Sequence, residues 1–222
     1  MPPHGPGRER TVAPDRELGE SLAGESTGVL CPGCGREYDV GLFAFGRTRH
    51  CTCGTRVGLA ASARSPSPGT NLRFFADAML GRLARWLRIL GYDTRYEAHV
   101  EDAALVRRAL QEDRVILTRD RALPVEFRVP ALVLVKAEQP EEQLRELVTL
   151  FQLDTEGRLF TRCSRCNAGL ESVTSDQIAE RVPPRVIREQ DHFKLCPGCG
   201  RVYWEGSHVD RIRDAIRRAV AP

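Results

Sequence analysis

Two kinds of residue in this chain have the type and spacing to do chemistry: cysteines in close pairs, and aspartates at the ends of apolar runs. Eight cysteines fall in four pairs. Cys31, Cys34, Cys51 and Cys53 follow Cx2Cx16CxC, and Cys163, Cys166, Cys196 and Cys199 follow Cx2Cx29Cx2C. Four thiolates suit tetrahedral Zn2+, and four protein ligands leave no open position, so both sets read as structural zinc sites. A unit as small as residues 28–60 buries too little surface to fold alone, so zinc binding is expected to supply its folding energy. The competing reading is a pair of redox dithiols. The start of the chain, MPPHGPGRERTVAPDRELGE, has no apolar leader. Paired cysteines without a secretory signal point to metal ligation in a reducing cytoplasm rather than to disulfides.

The acids offer a second chemistry. Asp77 follows the run LRFFA directly, Asp120 follows VILT by two residues in the turn LTRD, and Glu101 and Asp102 open a helical segment between the two. If the runs are neighbouring parallel strands, all four carboxylates lie at one sheet edge, outside the carboxyl ends of the strands, where open α/β sheets bind ligands. Asp93 and Asp113 precede strands and belong at the opposite edge. Carboxylates crowded together repel, and Mg2+ or Mn2+ relieves the repulsion with oxygen ligands and retained waters. Such an ion suits phosphodiester hydrolysis. The arginines Arg82, Arg85, Arg119 and Arg121 stand near these acids in sequence, and the first three are candidate phosphate ligands. Each acid also has a structural reading: Asp77, Glu101 and Asp102 as helix N-terminal residues, and Asp120 as a turn anchor.

The elements that must position these groups alternate. LRFFA, a TRY strand near 94–96, VILT and a strand near 131–135 are separated by the helical patterns AMLGRLARWLRIL and EDAALVRRALQED, and PEEQLRELVTLFQL follows the last. Leu80, Leu83, Ala84, Leu87 and Leu90 recur at i, i+3, i+4 and i+7, and Gly91 stops that helix. Arg82, Arg85 and Arg88 form a basic stripe on its other flank. Alternation of this kind gives βαβ units and a parallel sheet covered on both faces.

The 222 residues, 41% hydrophobic and 28% charged, are ordinary for a globular protein, and a net charge of +3 identifies no partner by itself. The longest apolar run, ALVLV, is far short of the roughly 18 residues of a membrane span. Composition divides the chain into a disordered tail (1–27), an N-terminal zinc ribbon (28–60), a Ser/Pro/Gly linker (61–71), an α/β domain (72–155), and a C-terminal zinc ribbon with a terminal helix (156–222). In the first ribbon, Phe43 and Phe45 interleave with Arg47, Arg49 and His50. That pattern fits stacking on unpaired bases and equally fits phenylalanines filling a small core. In the second, Thr174 and Gln177 form a capping-box pattern, and HVDRIRDAIRRAV reads as an amphipathic helix packed on the ribbon.

FFADAMLGRLARWLRILGYDT, RVILTRD, LFTRCSRCNA and CPGCGRVYWEGSHVDRI, in unbroken order over residues 72–215, resemble the Mut-seven C-terminal (Mut7-C) RNase domain, a branch of the PIN-like nucleases with a zinc ribbon. The resemblance implies a PIN-like three-layer α/β/α fold, here flanked by two zinc-ribbon modules, and divalent-metal ribonuclease activity. It maps an acid after strand one to Asp77, an acid on a middle helix to Asp102 (or Glu101), and the acid of a T-x-D turn to Asp120. Where PIN nucleases often carry a fourth acid, this chain has Lys136, with Glu138 nearest. The expected function is hydrolysis of single-stranded RNA, with zinc ribbons positioning the strand and a ribonucleoprotein or the ribosome as a further partner. The alternative is a non-catalytic RNA-binding adaptor with a degenerate nuclease site.

Overall fold

A computed structural model describes residues 28–59, 72–129 and 131–220, with the side chains of Ser207 and His208 excepted. The expected tail (1–27) and linker (61–71) lie outside these residues. The N-terminal module has two short antiparallel hairpins, β1 (Val29–Leu30) with β2 (Glu37–Tyr38) and β3 (Arg49–His50) with β4 (Arg56–Val57). A 3-10 segment, Val40–Gly46, lies between them.

Four parallel strands follow: β5 (Arg73–Ala76), β6 (Asp93–Tyr96), β7 (Val115–Thr118) and β8 (Leu132–Leu134), in the order β6–β5–β7–β8. All carboxyl ends therefore share one edge. From β5 the chain steps outward to β6, then crosses back to β7 on the other flank of β5, so the topological switch lies between β5 and β7. A short 3-10 turn, Ala78–Leu80, leads into α1 (Gly81–Ile89), which connects β5 to β6. Gly91, at φ 87°, closes α1, and its Cβ position would lie 2.2 Å from the Arg158 carbonyl oxygen. Only glycine fits there on both counts. Helix α2 (Asp102–Gln111) connects β6 to β7 across the other face.

The inner strands are apolar because both faces are covered. Phe74, Ala76, Val115 and Leu117 face a core built with Leu83, Leu87 and Leu90 of the α1 segment, together with α4 (Pro140–Phe151) and the terminal α7 (Ser207–Val220). Phe75 and Ile116 face the other way, onto Leu105, Val106 and Ala109 of α2 and onto the short α3 (Leu123–Glu126). The N-terminal module completes this second core: Val40, Phe43 and Val57 are buried in it, Phe43 with no exposed surface. A fully buried phenylalanine is worth about 3–5 kcal/mol when truncated to alanine, so apolar burial against the sheet domain contributes to holding this module, whatever its cysteines bind. Of the two readings of the phenylalanines, the structure gives one to each. Phe43 is core, whereas Phe45 is 58% exposed, beside the exposed Arg47, Arg49 and His50.

The C-terminal ribbon is a three-stranded antiparallel sheet, β9 (Glu171–Val173), β10 (Phe193–Leu195) and β11 (Val202–Trp204). Between β9 and β10 lie the short helices α5 (Ser175–Ile178) and α6 (Pro184–Glu189), and the Thr174–Gln177 capping box forms as its spacing suggests. Helix α7 does not rest on the ribbon alone: Ile216 and Ala219 enter the core shared with α4, where the Arg145 side chain donates to the Ala219 carbonyl. Among the described residues, no helix is long and apolar enough to cross a membrane.

Candidate active site

The zinc sites are the simplest to build. In each set the four sulfur positions lie within 4.8 Å of one another. Opposed pairs stand 3.6 and 3.5 Å apart in the first set, and 3.6 and 3.3 Å in the second. A tetrahedral ion with Zn–S bonds of about 2.3 Å needs sulfurs about 3.8 Å apart, so both thiolate sets fit zinc. Four turns build them on one plan. The residue after each second cysteine is left-handed: Gly35 at φ 72°, Gly54 at 84°, Asn167 at 71° and Gly200 at 70°. Its amide donates to the carbonyl of the first cysteine of the pair, at 2.9, 2.9, 3.0 and 2.9 Å in turn. The CxC pair makes the same turn with one residue fewer. Within each set the thiols diverge. Hydrogen bonds from the Cys53 amide and the Tyr38 hydroxyl pull Cys51 down to about 5. Burial and hydrogen bonding to Cys166 push Cys196 up to about 12. The sulfurs share protons that a bound zinc ion displaces.

Asn167 does more than turn the chain. Its side-chain oxygen accepts from the Thr94 amide on the outer edge of β6, and its amide nitrogen donates to Asp93. Asparagine tolerates the left-handed region better than most residues and, unlike glycine, brings a side chain that fastens the ribbon to the sheet. Arg88 supports the same seam. It is buried, with donations to the carbonyls of Thr94 and Arg165. The expected exposed stripe therefore ends at Arg85. Steps of three residues rotate backwards by about 60° on a 3.6-residue helix, and the third arginine is turned inward to the ribbon.

At the amino edge of the sheet Asp93 is enclosed by cations. Arg114 donates to it at 2.6 Å, and Arg73 and Arg162 approach at 3.6 and 3.5 Å. Burial alone would raise its pKa, but hydrogen bonds from Arg114 and Asn167 hold it below the ordinary carboxylate range. This edge is a structural ion-pair network, in keeping with setting Asp93 aside.

The carboxyl edge is different. Asp77 is buried where β5 ends, at 6% exposure. One of its oxygens accepts from the Ala78 amide, and the other from the Thr118 hydroxyl at 2.6 Å. The same Thr118 oxygen accepts from the Asp120 amide at 2.9 Å, and an Asp120 carboxylate oxygen accepts from the Ala122 amide at 2.7 Å. Thr118 thus ties together the two acids that flank the topological switch. Tyr96, from β6, donates to the Ala78 carbonyl, and its ring sits where a Cβ on Gly81 would be. Close approach of that ring requires glycine as the first residue of α1.

Asp102 stands half-buried in the first turn of α2. Burial, then the carboxylates of Asp120, Asp77 and Glu126, raise its pKa above the ordinary value. The three expected acids are therefore electrostatic neighbours, with Glu126 of α3 as a fourth. Sequence reasoning missed Glu126 because LPVE is too short to show a period; its place six residues beyond Asp120, on the turn leaving the same edge, was the available signal. Glu101 is the N-cap of α2 but makes no side-chain cap bond. These carboxylates are spread more widely than the thiolates: among the described residues, only the two cysteine sets bring three or more candidate ligands within 4.8 Å of one another. Carboxylate oxygens are the donor type that hard divalent ions take, but these acids do not converge as the sulfurs do.

The arginines divide. Arg82 and Arg85 are exposed on successive turns of α1. Arg119 pairs with Glu138 at 3.5 Å, so the acid nearest the expected fourth position answers an arginine. Arg85 also borders a pocket against the C-terminal ribbon.

With this geometry in place the comparisons can be read. Residues 72–216, more than half of the chain, match the model of the Mut7-C RNAse domain. The chain belongs to the Mut7-C RNase domain family. It is similar to a human protein, exonuclease mut-7 homolog, at 25% identity over 250 residues, covering 75% of this chain and 28% of that protein. The chain thus spans well under a third of that relative's length. No solved structure matches it. Membership supports a nuclease-type function. The N-terminal zinc module lies outside the matched segment and yet contributes to its core.

Proposed function

We propose that this chain is a divalent-metal-dependent ribonuclease of PIN-like fold acting on single-stranded RNA. The observation that carries the reading is the company of Asp102: a half-buried carboxylate raised by burial and by three other acids, at the carboxyl edge beside the topological switch. Mutual repulsion of this kind is typical of sites where a cation relieves it or chemistry uses it. Asp77, Asp102 and Asp120 would hold Mg2+ or Mn2+, with Glu126 at the margin of the set. An ion held there would supply an activated water and charge stabilisation for the phosphoryl oxygens. The chain's own groups do the rest. Thr118 fixes Asp77 and the Asp120 backbone in register, and burial of Asp77 keeps its carboxylate in one orientation. Arg82, Arg85 and Arg119 provide charge for the phosphates, and the zinc ribbons supply rigid flanks. The human relative's name speaks of an exonuclease; we favour an endonuclease, as the PIN-like reading implies.

The test is cleavage of a labelled single-stranded oligoribonucleotide with and without Mg2+ or Mn2+. Asp120→Asn is expected to abolish divalent-dependent cleavage while two zinc ions per chain are retained. Equal cleavage by wild type and variant would overturn the site. The adaptor reading has its own support: Asp77 has both oxygens hydrogen-bonded, and Arg119 is engaged by Glu138. It predicts salt-dependent RNA binding without divalent-dependent turnover.

A further inference from the structure

One pocket combines positive charge with aromatic rings at the seam between the sheet domain and the C-terminal ribbon. Its volume is about 160 Å3, and it lies between α1, α7 and the strands β10 and β11. Five basic side chains border it, against one acid, Glu205. Two of the five hold the protein together: Arg162 donates to the Asn167 carbonyl and pairs with Asp93, and Lys194 donates to the Phe160 carbonyl. Glu205 already faces Arg213 at 4.0 Å. Arg85, His192 and Arg201 remain, all three exposed and without an ion pair or hydrogen bond among the described residues. Phe160 and Tyr203 supply the rings, each partly exposed, with Arg213 stacked on Phe160 at 5.9 Å, whereas Trp204, the neighbour of Tyr203 on β11, turns to the opposite face of the ribbon sheet and packs beside Phe193, Ile178 and Val182. The Tyr203 hydroxyl is directed to Cys163 at 3.0 Å, which fixes its ring against the cysteine cluster.

We propose that this pocket seats one unpaired nucleotide of a single-stranded RNA, the base beside Phe160 and Tyr203 and the adjoining phosphates on Arg85, Arg201 and His192. The inference rests on the ribonuclease reading for the identity of the strand. Size selects the occupant. Pockets for drug-sized ligands run to roughly 300–1,000 Å3, so this one admits a single ring system and leaves the phosphate at the rim. Aromatic rings beside free cations are the chemistry by which unpaired bases are held without sequence preference. Position fits as well. Helix α1 starts four residues after Asp77, and at 1.5 Å per residue Arg85 lies about 6 Å and Ile89 about 12 Å along it from Gly81. Arg82 and Arg85, on successive turns, mark a track from the acidic edge to the pocket, a path of a few nucleotides at about 3.4 Å per stacked step. The ribbon thereby sets how far from the held nucleotide the strand is cut.

The experiment uses the full zinc-loaded chain with no divalent cation added, so that binding is read without turnover. A short fluorescein-labelled single-stranded oligoribonucleotide is titrated by anisotropy. Phe160→Leu, which keeps an apolar side chain and loses the ring, should weaken binding at least about fivefold. His192→Ala combined with Arg201→Glu should weaken binding at least about tenfold more than Arg185→Glu, a charge reversal on α6 away from the pocket. Loss no greater than that of Arg185→Glu, or binding unchanged by Phe160→Leu, would overturn the pocket. AMP that displaces the labelled strand as strongly as the unlabelled oligonucleotide at equal concentration would assign the pocket to a free nucleotide and overturn the strand. Binding is read without a divalent cation and cleavage with one, so a failure of the acidic site shows in cleavage and a failure of the pocket shows here.

Discussion

Asp93 and Asp102 stand at opposite edges of one four-stranded sheet, and their surroundings are opposite too. Asp93, at the amino edge, has Arg73, Arg114 and Arg162 around it and a pKa held low. Asp102, at the carboxyl edge, has Asp77, Asp120 and Glu126 around it and a pKa raised. The first arrangement lowers the free energy of the folded chain. The second raises it, and the fold tolerates the cost where a parallel sheet presents its ligand-binding edge. In this protein the company of an acid separates a fastening from a site more clearly than its burial does.

Between the two edges, the larger stability effect should come from the amino edge. Asp93→Ala leaves the buried Arg114 with Glu112 as its remaining carboxylate, beside the carbonyls of Phe74 and residue 93, and removes a partner of Arg162 and Asn167. Breaking a buried pair in this way costs about 3 kcal/mol, or roughly 6–12 °C in Tm for a chain of this size, read by thermal denaturation. A Tm unchanged by Asp93→Ala would break the contrast. A smaller effect is expected for Asn167→Gly. Glycine keeps the left-handed turn of the knuckle and loses the two bonds to Thr94 and Asp93. The loss should be about 1–2 kcal/mol with zinc content unchanged, measured by urea unfolding and metal analysis. If Asn167→Gly loses zinc instead, the residue serves the metal site more than the seam.

The smallest effect has a sign that sets the two edges apart. Because its folded pKa is low, Asp93 stabilises the fold above its ordinary value near 4, and that stabilisation is lost as pH falls through the lowered folded value. Wild type and Asp93→Ala should therefore converge in Tm in acid. Asp102 runs the other way. Its folded pKa is raised, so ionisation costs stability, and the cost appears as pH rises above about 4 and is complete above the raised folded value. Asp102→Asn should be at least as stable as wild type at neutral pH, the two converging in acid. A neutral-pH Tm clearly below wild type would return Asp102 to the role of a helix-terminus residue.

Much of this was legible in the chain. The strand runs, the glycine stop of α1 and the edge that each aspartate occupies all follow from period, turn chemistry and the single direction of a parallel sheet. The convergence of both cysteine sets followed from their spacing. What stayed hidden depends on contacts between distant segments. Phe43 and Phe45 look alike in sequence, and only the packing of the N-terminal module against α2 buries one and exposes the other. Arg88 reads as surface until the ribbon covers it. Asn167 stands where three sister knuckles have glycine, but the partner its side chain reaches is 73 residues away in sequence. Glu126 lies on a single helical turn with no periodic signature.

The central claim, that the acidic edge is a divalent-metal nuclease site, is tested most directly by Asp102→Asn in cleavage of single-stranded RNA with Mg2+ or Mn2+. The expected result is a loss of activity on the order of 100-fold, at least what removal of a group supporting a metal ligand costs, in a protein that melts no lower than wild type and keeps both zinc ions. Cleavage at the wild-type rate by that variant would contradict the account.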